Sequence, residues 1–210
     1  RRAAVDGNAV AQFEIASRFT QGRGVAQDLK AAADWYQRAA AQGLAPAQYR
    51  LGSLYEKGHG VTRDMAMAEM WYLRAADQGN RKAMHNLAVL NAQGAKGEPN
   101  FAEAARWFRQ AAEHGLRDSQ FNLGILYARG LGIEADQKEA YKWFAIAAAQ
   151  GDKEAETKRD EIANSLNTED QAVAKRMARN WQATPLVEDA NFIKSSGVAC
   201  QLRAIRRSEE

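Results

Sequence analysis

AQYRLGSLYEKGHGVTRDMAMAEMWYLRAADQG, residues 47–79, decides the fold. Its first half places Ala47, Leu51, Leu54 and Tyr55 at i, i+4, i+7 and i+8, one face of an α-helix. Gly58-His59-Gly60-Val61 ends that helix, because glycine enters the left-handed conformation at little cost. Asp64 then stands as the N-cap of a second helix carrying Ala68, Trp71, Tyr72, Ala75 and Ala76 at the same 3–4 spacing. Two helices joined by a glycine turn make one unit, and the chain repeats it. Trp35, Trp71, Trp107 and Trp143 follow one another at steps of 36 residues, each with Tyr36, Tyr72, Phe108 or Phe144 behind it. Gly43, Gly79, Gly115 and Gly151 keep the step, as do Gly22, Gly58, Gly94 and Gly130. A fixed period of this length is the mark of a stacked repeat array.

The register assigns roles beyond the aromatic ladder. Gly52 and Gly124 fall on the core face of the first helix, with Ala16 and Ala88 in the equivalent places. Small residues there admit a close neighbour, which outweighs the roughly 1 kcal/mol that a helical glycine costs. Asp28, Asn100 and Asp136 cap the other second helices, and Glu103 and Glu139 are read as completing capping boxes. Repeat three departs at Gly94-Ala95-Lys96-Gly97-Glu98-Pro99-Asn100, read as a different turn of equal length.

The pattern A-x-x-x-LG-x-LY-x-x-G-x-GV-x-x-D-x-x-x-A-x-x-WY-x-x-AA-x-x-G resembles the Sel1-like repeat, a relative of the tetratricopeptide repeat, from about Gly7 to Asp160. The resemblance implies an all-α fold, a right-handed α-solenoid of antiparallel helix pairs. More narrowly, MHNLAVLNAQGAKGEP, DSQFNLGILYARG and YKWFAIAAAQGDKEAETKRDE are similar to the Sel1 region of alphaproteobacterial polar-localisation proteins of the PodJ type. That similarity implies a scaffold domain in the periplasm, part of a longer membrane-anchored protein, with the cytoplasm as the alternative. Repeats are expected at about 9–43, 45–79, 81–115 and 117–151, inside a solenoid spanning 1–183.

After Gly151 the pattern degrades, with Arg159 where Leu51 stood and Asp160 where Gly52 stood. Ile162, Ala163 and Leu166 still give a face. Thr168-Glu169-Asp170-Gln171 reads as a capping box, and Val173, Met177 and Trp181 as the stripe behind it. Residues 153–183 are therefore expected to form a two-helix C-terminal cap. Ala145 and Ile146, where repeats one and three carry Gln37-Arg38 and Arg109-Gln110, call for such an apolar cover. Residues 184–210, with Pro185, Ser195-Ser196-Gly197 and Arg203, Arg206 and Arg207, read as linker or tail.

Composition bounds the function. The 210 residues are 46% hydrophobic and 26% charged, enough apolar surface for a sizeable core. A net charge of +3 with interspersed signs argues against nucleic acid, despite a pI near 9.0. No run approaches the roughly 18 apolar residues of a membrane span. The chain opens on Arg1-Arg2 almost inside a repeat, so a fragment of a longer protein is expected. Cys200 is the only cysteine and allows no internal disulfide. His59, His85 and His114 lack metal-site neighbours, and no nucleophile motif or phosphate loop occurs, so no catalytic residue, metal or cofactor is expected.

That leaves binding. Off the core face of the first helices runs a second stripe: Glu14, Ser17 and Gln21; Arg50, Ser53 and Lys57; Asn86, Val89 and Gln93; Asn122, Ile125 and Arg129. In the related helical repeats this helix lines a concave groove. The resemblance thus implies that Arg50, Ser53, Asn86, Val89, Asn122 and Ile125 receive a peptide or helix of a protein partner. A cell-wall glycan is the alternative ligand, disfavoured because the stripe has no aromatic residue. Met67, Met70 and Leu73, where other repeats are mostly polar, are read as an apolar patch for a partner or for self-association.

Overall fold

The structure is a computed structural model, and it describes residues 7–95 and 97–193. Among these are eleven helices and no strand. The repeats supply α1 (Ala9–Gln21), α2 (Leu29–Ala41), α3 (Ala45–Lys57), α4 (Met65–Asp77), α5 (Arg81–Gln93), α6 (Phe101–Glu113), α7 (Arg117–Arg129) and α8 (Gln137–Ala149). The cap adds α9 (Lys153–Ser165) and α10 (Thr168–Asn180), and a single turn, α11 (Glu188–Asn191), follows. Contacts group the described residues into two compact units, 7–80 with 187–193, and 81–186.

Within each repeat the two helices pack as an antiparallel pair around one aromatic contact. Phe13 meets Tyr36, Tyr49 meets Tyr72, His85 meets Phe108 and Phe121 meets Phe144, with ring centroids 5.3–6.0 Å apart. Gly52 and Gly124 lie against these rings. A Cβ at Gly52 would stand 2.7 Å from Tyr72 Cδ1, and one at Gly124 2.8 Å from Phe144 Cε1. The close approach expected at these positions is therefore made by the ring of the same repeat's second helix. Trp71, Trp107 and Trp143 are buried, whereas Trp35 is half-buried. A cation stands over each: Arg38, Arg74, Arg106 and Lys142 lie 4.2–4.8 Å from the indole centroids.

The turns close on a bond that recurs with the repeat. The N–H of each N-cap residue donates to a carbonyl nine residues earlier: Asp28 to Phe19, Asp64 to Tyr55, Asn100 to Asn91 and Asp136 to Tyr127. Repeat three keeps this bond at 2.9 Å despite its altered turn. The same bond corrects the expected capping boxes. With the N-cap N–H already satisfied, the Glu103 and Glu139 carboxylates turn to Arg106 and Lys142 instead. The cap oxygens do their part, accepting from the N3 amides at 2.9–3.1 Å in all four repeats. The second turn glycine has a separate task. A Cβ at Gly60 would fall 2.1 Å from Leu29 O, and one at Gly132 2.2 Å from Phe101 C, so in repeats two and four this position seats the turn on the preceding repeat's second helix.

In unit 81–186 the cap packs α9 and α10 against α8. Its N-cap is Asn167, whose Oδ1 accepts from Asp170 N at 2.8 Å, one residue before the box read at Thr168; Gln171 instead donates to Ala163 O. Trp181 meets Trp143 edge-on at 5.9 Å, and Lys138 reaches Asp170 at 3.1 Å.

Residues 184–193, read from sequence as tail, are docked. Thr184 N donates to Glu113 O at 2.8 Å, and Val187 lies against Gly79. Ala190 is buried, α11 packs on α3, Asn80 donates to Ala190 O and Asn191 donates to Gly79 O. The tail residues Cys200, Arg203, Arg206 and Arg207, and Ser195-Ser196-Gly197, lie outside the described residues.

Candidate functional site

The first-helix stripe divides between the two units. In the unit 7–80, Arg50 is exposed and its guanidinium carbon lies 5.8 Å from the Tyr49 ring, while Ser53 is half-buried. In the unit 81–186, α5 and α7 set Asn86, Val89, Asn122 and Ile125 half-buried on their outer faces. Val89 and Gln93 of α5 come together with Asn122, Ile125 and Arg129 of α7 around a cleft of about 350 Å³. Phe108 and Leu126, both buried, are among its walls. Asn86 is not part of that lining. Asn122 Nδ2 donates back to Asp118 O at 2.8 Å, which leaves its amide oxygen for a ligand. The cleft thus pairs apolar walls with amide groups and one guanidinium, the surface chemistry that a peptide main chain and an apolar side chain require.

The methionine patch is smaller than the sequence suggests. Met67 and Met70 are half-buried and pack, with Tyr55 and Val61, against the core cluster around Leu51 and Trp71. Leu73 alone of the three stays open, at 42% exposure. Long thioether side chains fold back toward the helix N-terminus, where the turn and the end of α3 supply apolar neighbours.

Sequence reading missed a set of amide pairs in which one glutamine is buried and the other exposed. Gln42 donates to Gln12, Gln78 to Gln48 and Gln150 to Gln120 at 2.6–2.8 Å, and Gln48 and Gln120 donate in turn to Ala40 O and Ala112 O. Repeat three replaces this pair with Met84 and His114. His114 Nδ1 instead sits 3.3 Å from Thr184 O, where the docked C-terminal segment passes. Asn80, which takes hold of Ala190, stands where Leu44 and Leu116 occur in other repeats. These deviations from the register were the available signal.

His85 occupies the aromatic place as expected, with Nδ1 2.8 Å from Ser119 Oγ. Burial lowers its pKa below the usual imidazole value of 6.5, and Asp118 pulls more weakly the other way. The native state therefore binds this proton less readily than the unfolded chain. Stability is expected to fall as pH drops through about 6.5, and to go on falling until the lower folded value is passed. His85→Phe, the residue at Phe121, should flatten the fall of the melting temperature below about pH 6.5 relative to the parent. An unchanged acid-side slope would exclude His85 as its source.

No helix among the described residues is long and apolar enough to cross a membrane, and they hold no cluster of three or more metal-ligating side chains. The Sel1 repeat profile matches residues 9–44, 45–80, 81–116 and 117–152. The chain belongs to the Sel1 repeat family. A solved Sel1 repeat protein from Oxalobacter formigenes is 36% identical over 76% of this chain and 46% of its own, with a TM-score of 0.70. The protein c5321, a protective antigen of uropathogenic Escherichia coli with an SLR fold, is 26% identical over 91% of this chain and 52% of its own, with a TM-score of 0.53. The chain thus spans about half the length of each. No curated protein matches it. Sel1 repeats generally act as protein–protein interaction scaffolds rather than catalysts.

Proposed function

We propose that this Sel1 repeat chain is a scaffold whose first-helix surface receives a peptide or helix of a protein partner. The cleft between α5 and α7 carries the reading, because residues that the core does not require converge there around apolar walls. Arg50 and Ser53 extend the same register position on α3, and Leu73 offers a separate apolar contact. The wording of residues 84–99, 118–130 and 141–161 supports a periplasmic setting, in cell-pole organisation or envelope signalling. A glycan ligand would call for several aromatic rings open to a sugar face, whereas the cleft holds the buried Phe108 and one half-buried ring, Phe101.

The test is a variant combining Arg50→Glu, Asn86→Ala and Asn122→Ala, used beside the parent as bait, with captured proteins identified and their contact points mapped by cross-linking. Capture of a cross-linked partner is expected to fall at least about tenfold while the thermal melt stays unchanged. Undiminished capture would remove the stripe from consideration.

A further inference from the structure

A second cavity, of about 1020 Å³, lies within the unit 81–186 and shares no residue with the α5–α7 cleft. Its apolar lining comes from Ala145, Ile146 and Ala149 of α8, Ala178 of α10, and Trp181 and Leu186 of the segment that follows. Ala145 and Ile146 stand where repeats one and three carry the polar pairs Gln37-Arg38 and Arg109-Gln110. With the cap in place Ile146 is 7% exposed and Ala145 half-buried, and the space beside them is this cavity. Its walls are fixed: Trp181 rests on Trp143, and Thr184 is held by Glu113 O and His114.

The charge around it is one-sided. Arg81, Arg159, Lys175 and Arg179 all line it, with His114, and no Asp or Glu does. Arg159 is engaged by Asp160 at 2.7 Å, and Arg81 donates to His114 O at 2.9 Å. Lys175 and Arg179, one turn apart on exposed α10, meet no carboxylate among the described residues. Lys175 reaches Gln171 Oε1 at 3.5 Å, and Arg179 reaches a backbone carbonyl at 3.4 Å. Two cations beside an apolar floor attract a ligand with several negative charges and an apolar anchor.

We propose that this cavity docks an acidic peptide segment of a protein partner, in which a Leu or aromatic residue flanked by Asp and Glu enters between α8 and α10. The anchor fills the space over Ile146 and Trp181, and the flanking carboxylates pair with Lys175 and Arg179 at the exposed lip. A bare inorganic anion would leave the apolar floor unused, and a single-headed amphiphile carries one negative charge for several cations. The volume stands at the top of the roughly 300–1000 Å³ range for small-ligand sites, which suits a short chain segment.

The experiment uses the full chain and three dye-labelled synthetic peptides followed by fluorescence anisotropy: EEDLWEED, the charge-swapped KKRLWKKR and the anchorless EEDGGEED. EEDLWEED is expected to saturate below about 1 mM and to bind at least about tenfold more tightly than the other two. Lys175→Gln with Arg179→Gln should weaken it about tenfold with an unchanged melt, since both side chains are exposed, and Asn86→Ala with Asn122→Ala should leave it unaltered. Equal binding of the three peptides, or full affinity in the Lys175/Arg179 variant, would overturn the proposal. So would binding of oleate without the acidic peptide, which would make the cavity an amphiphile site. Loss of the peptide in the Asn86/Asn122 variant would place it in the other cleft and refute the cavity, leaving the scaffold reading intact.

Discussion

Trp107→Ala is expected to lower the unfolding free energy by about 3–5 kcal/mol, the range for a deleted core aromatic that leaves a cavity. Trp107 is 4% exposed on α6, between the buried Ala104 and Ala111, and Arg106 covers its open face at 4.2 Å. Beside it the Glu103 carboxyl is held below the usual range, first by its hydrogen bond with Arg106. Removing the ring therefore takes away buried area and a cation contact together. Trp35→Ala should cost less, because Trp35 at the same repeat position is only half-buried. Urea denaturation of both variants checks this. A Trp107→Ala loss under about 1 kcal/mol would mean that the aromatic ladder is not the core of the unit.

Truncation after Gly151 is expected to do more, leaving a fragment that self-associates instead of folding stably. It strips α9, α10 and Trp181 from α8, uncovering Trp143, Phe144 and Ile146, now 3%, 0% and 7% exposed. Repeat arrays with an open apolar end need a polar cover, and the α9–α10 pair provides it. Light scattering after gel filtration should show large species for the truncated chain alone. An equally monodisperse, equally stable fragment would refute the cap assignment. Ending the chain after Ala183 is not neutral either. It removes the Ala190 carbonyl to which Asn80 donates and the Thr184 amide that donates to Glu113 O, together with the cover those residues give Asn80. A cost of about 0.5–1.5 kcal/mol per lost hydrogen bond is expected, read in the urea melt.

Much of the site was legible in the residues. The stripe of α5 and α7 followed from helical periodicity, and Val89, Asn122 and Ile125 do share a cleft. The second cavity was half visible: Ala145 and Ile146 announced a covered edge, but their cover depends on Trp181 and residues 183–186, which carry no periodicity. Met67 and Met70 illustrate the limit from the other side. Position on a helix gave their direction, but not that Tyr55 and Val61 join them against the same core.

The sequence by itself determined the helix pair, its 36-residue repeat, the aromatic ladder of the second helices, the Asp and Asn caps, and the glycines that end the first helices. All of these are local or recur at one fixed separation, so a register with four copies reports them four times. Only the tertiary structure decided where the N-cap amides donate, that a buried glutamine pairs with an exposed one in three of the repeats, and that residues 184–193 return to Glu113, Gly79 and Asn80. The Asn80–Ala190 bond spans 110 residues and occurs once. A single Asn in place of Leu has no meaning until its acceptor is known, because a buried amide is stabilising or costly according to the partner it finds.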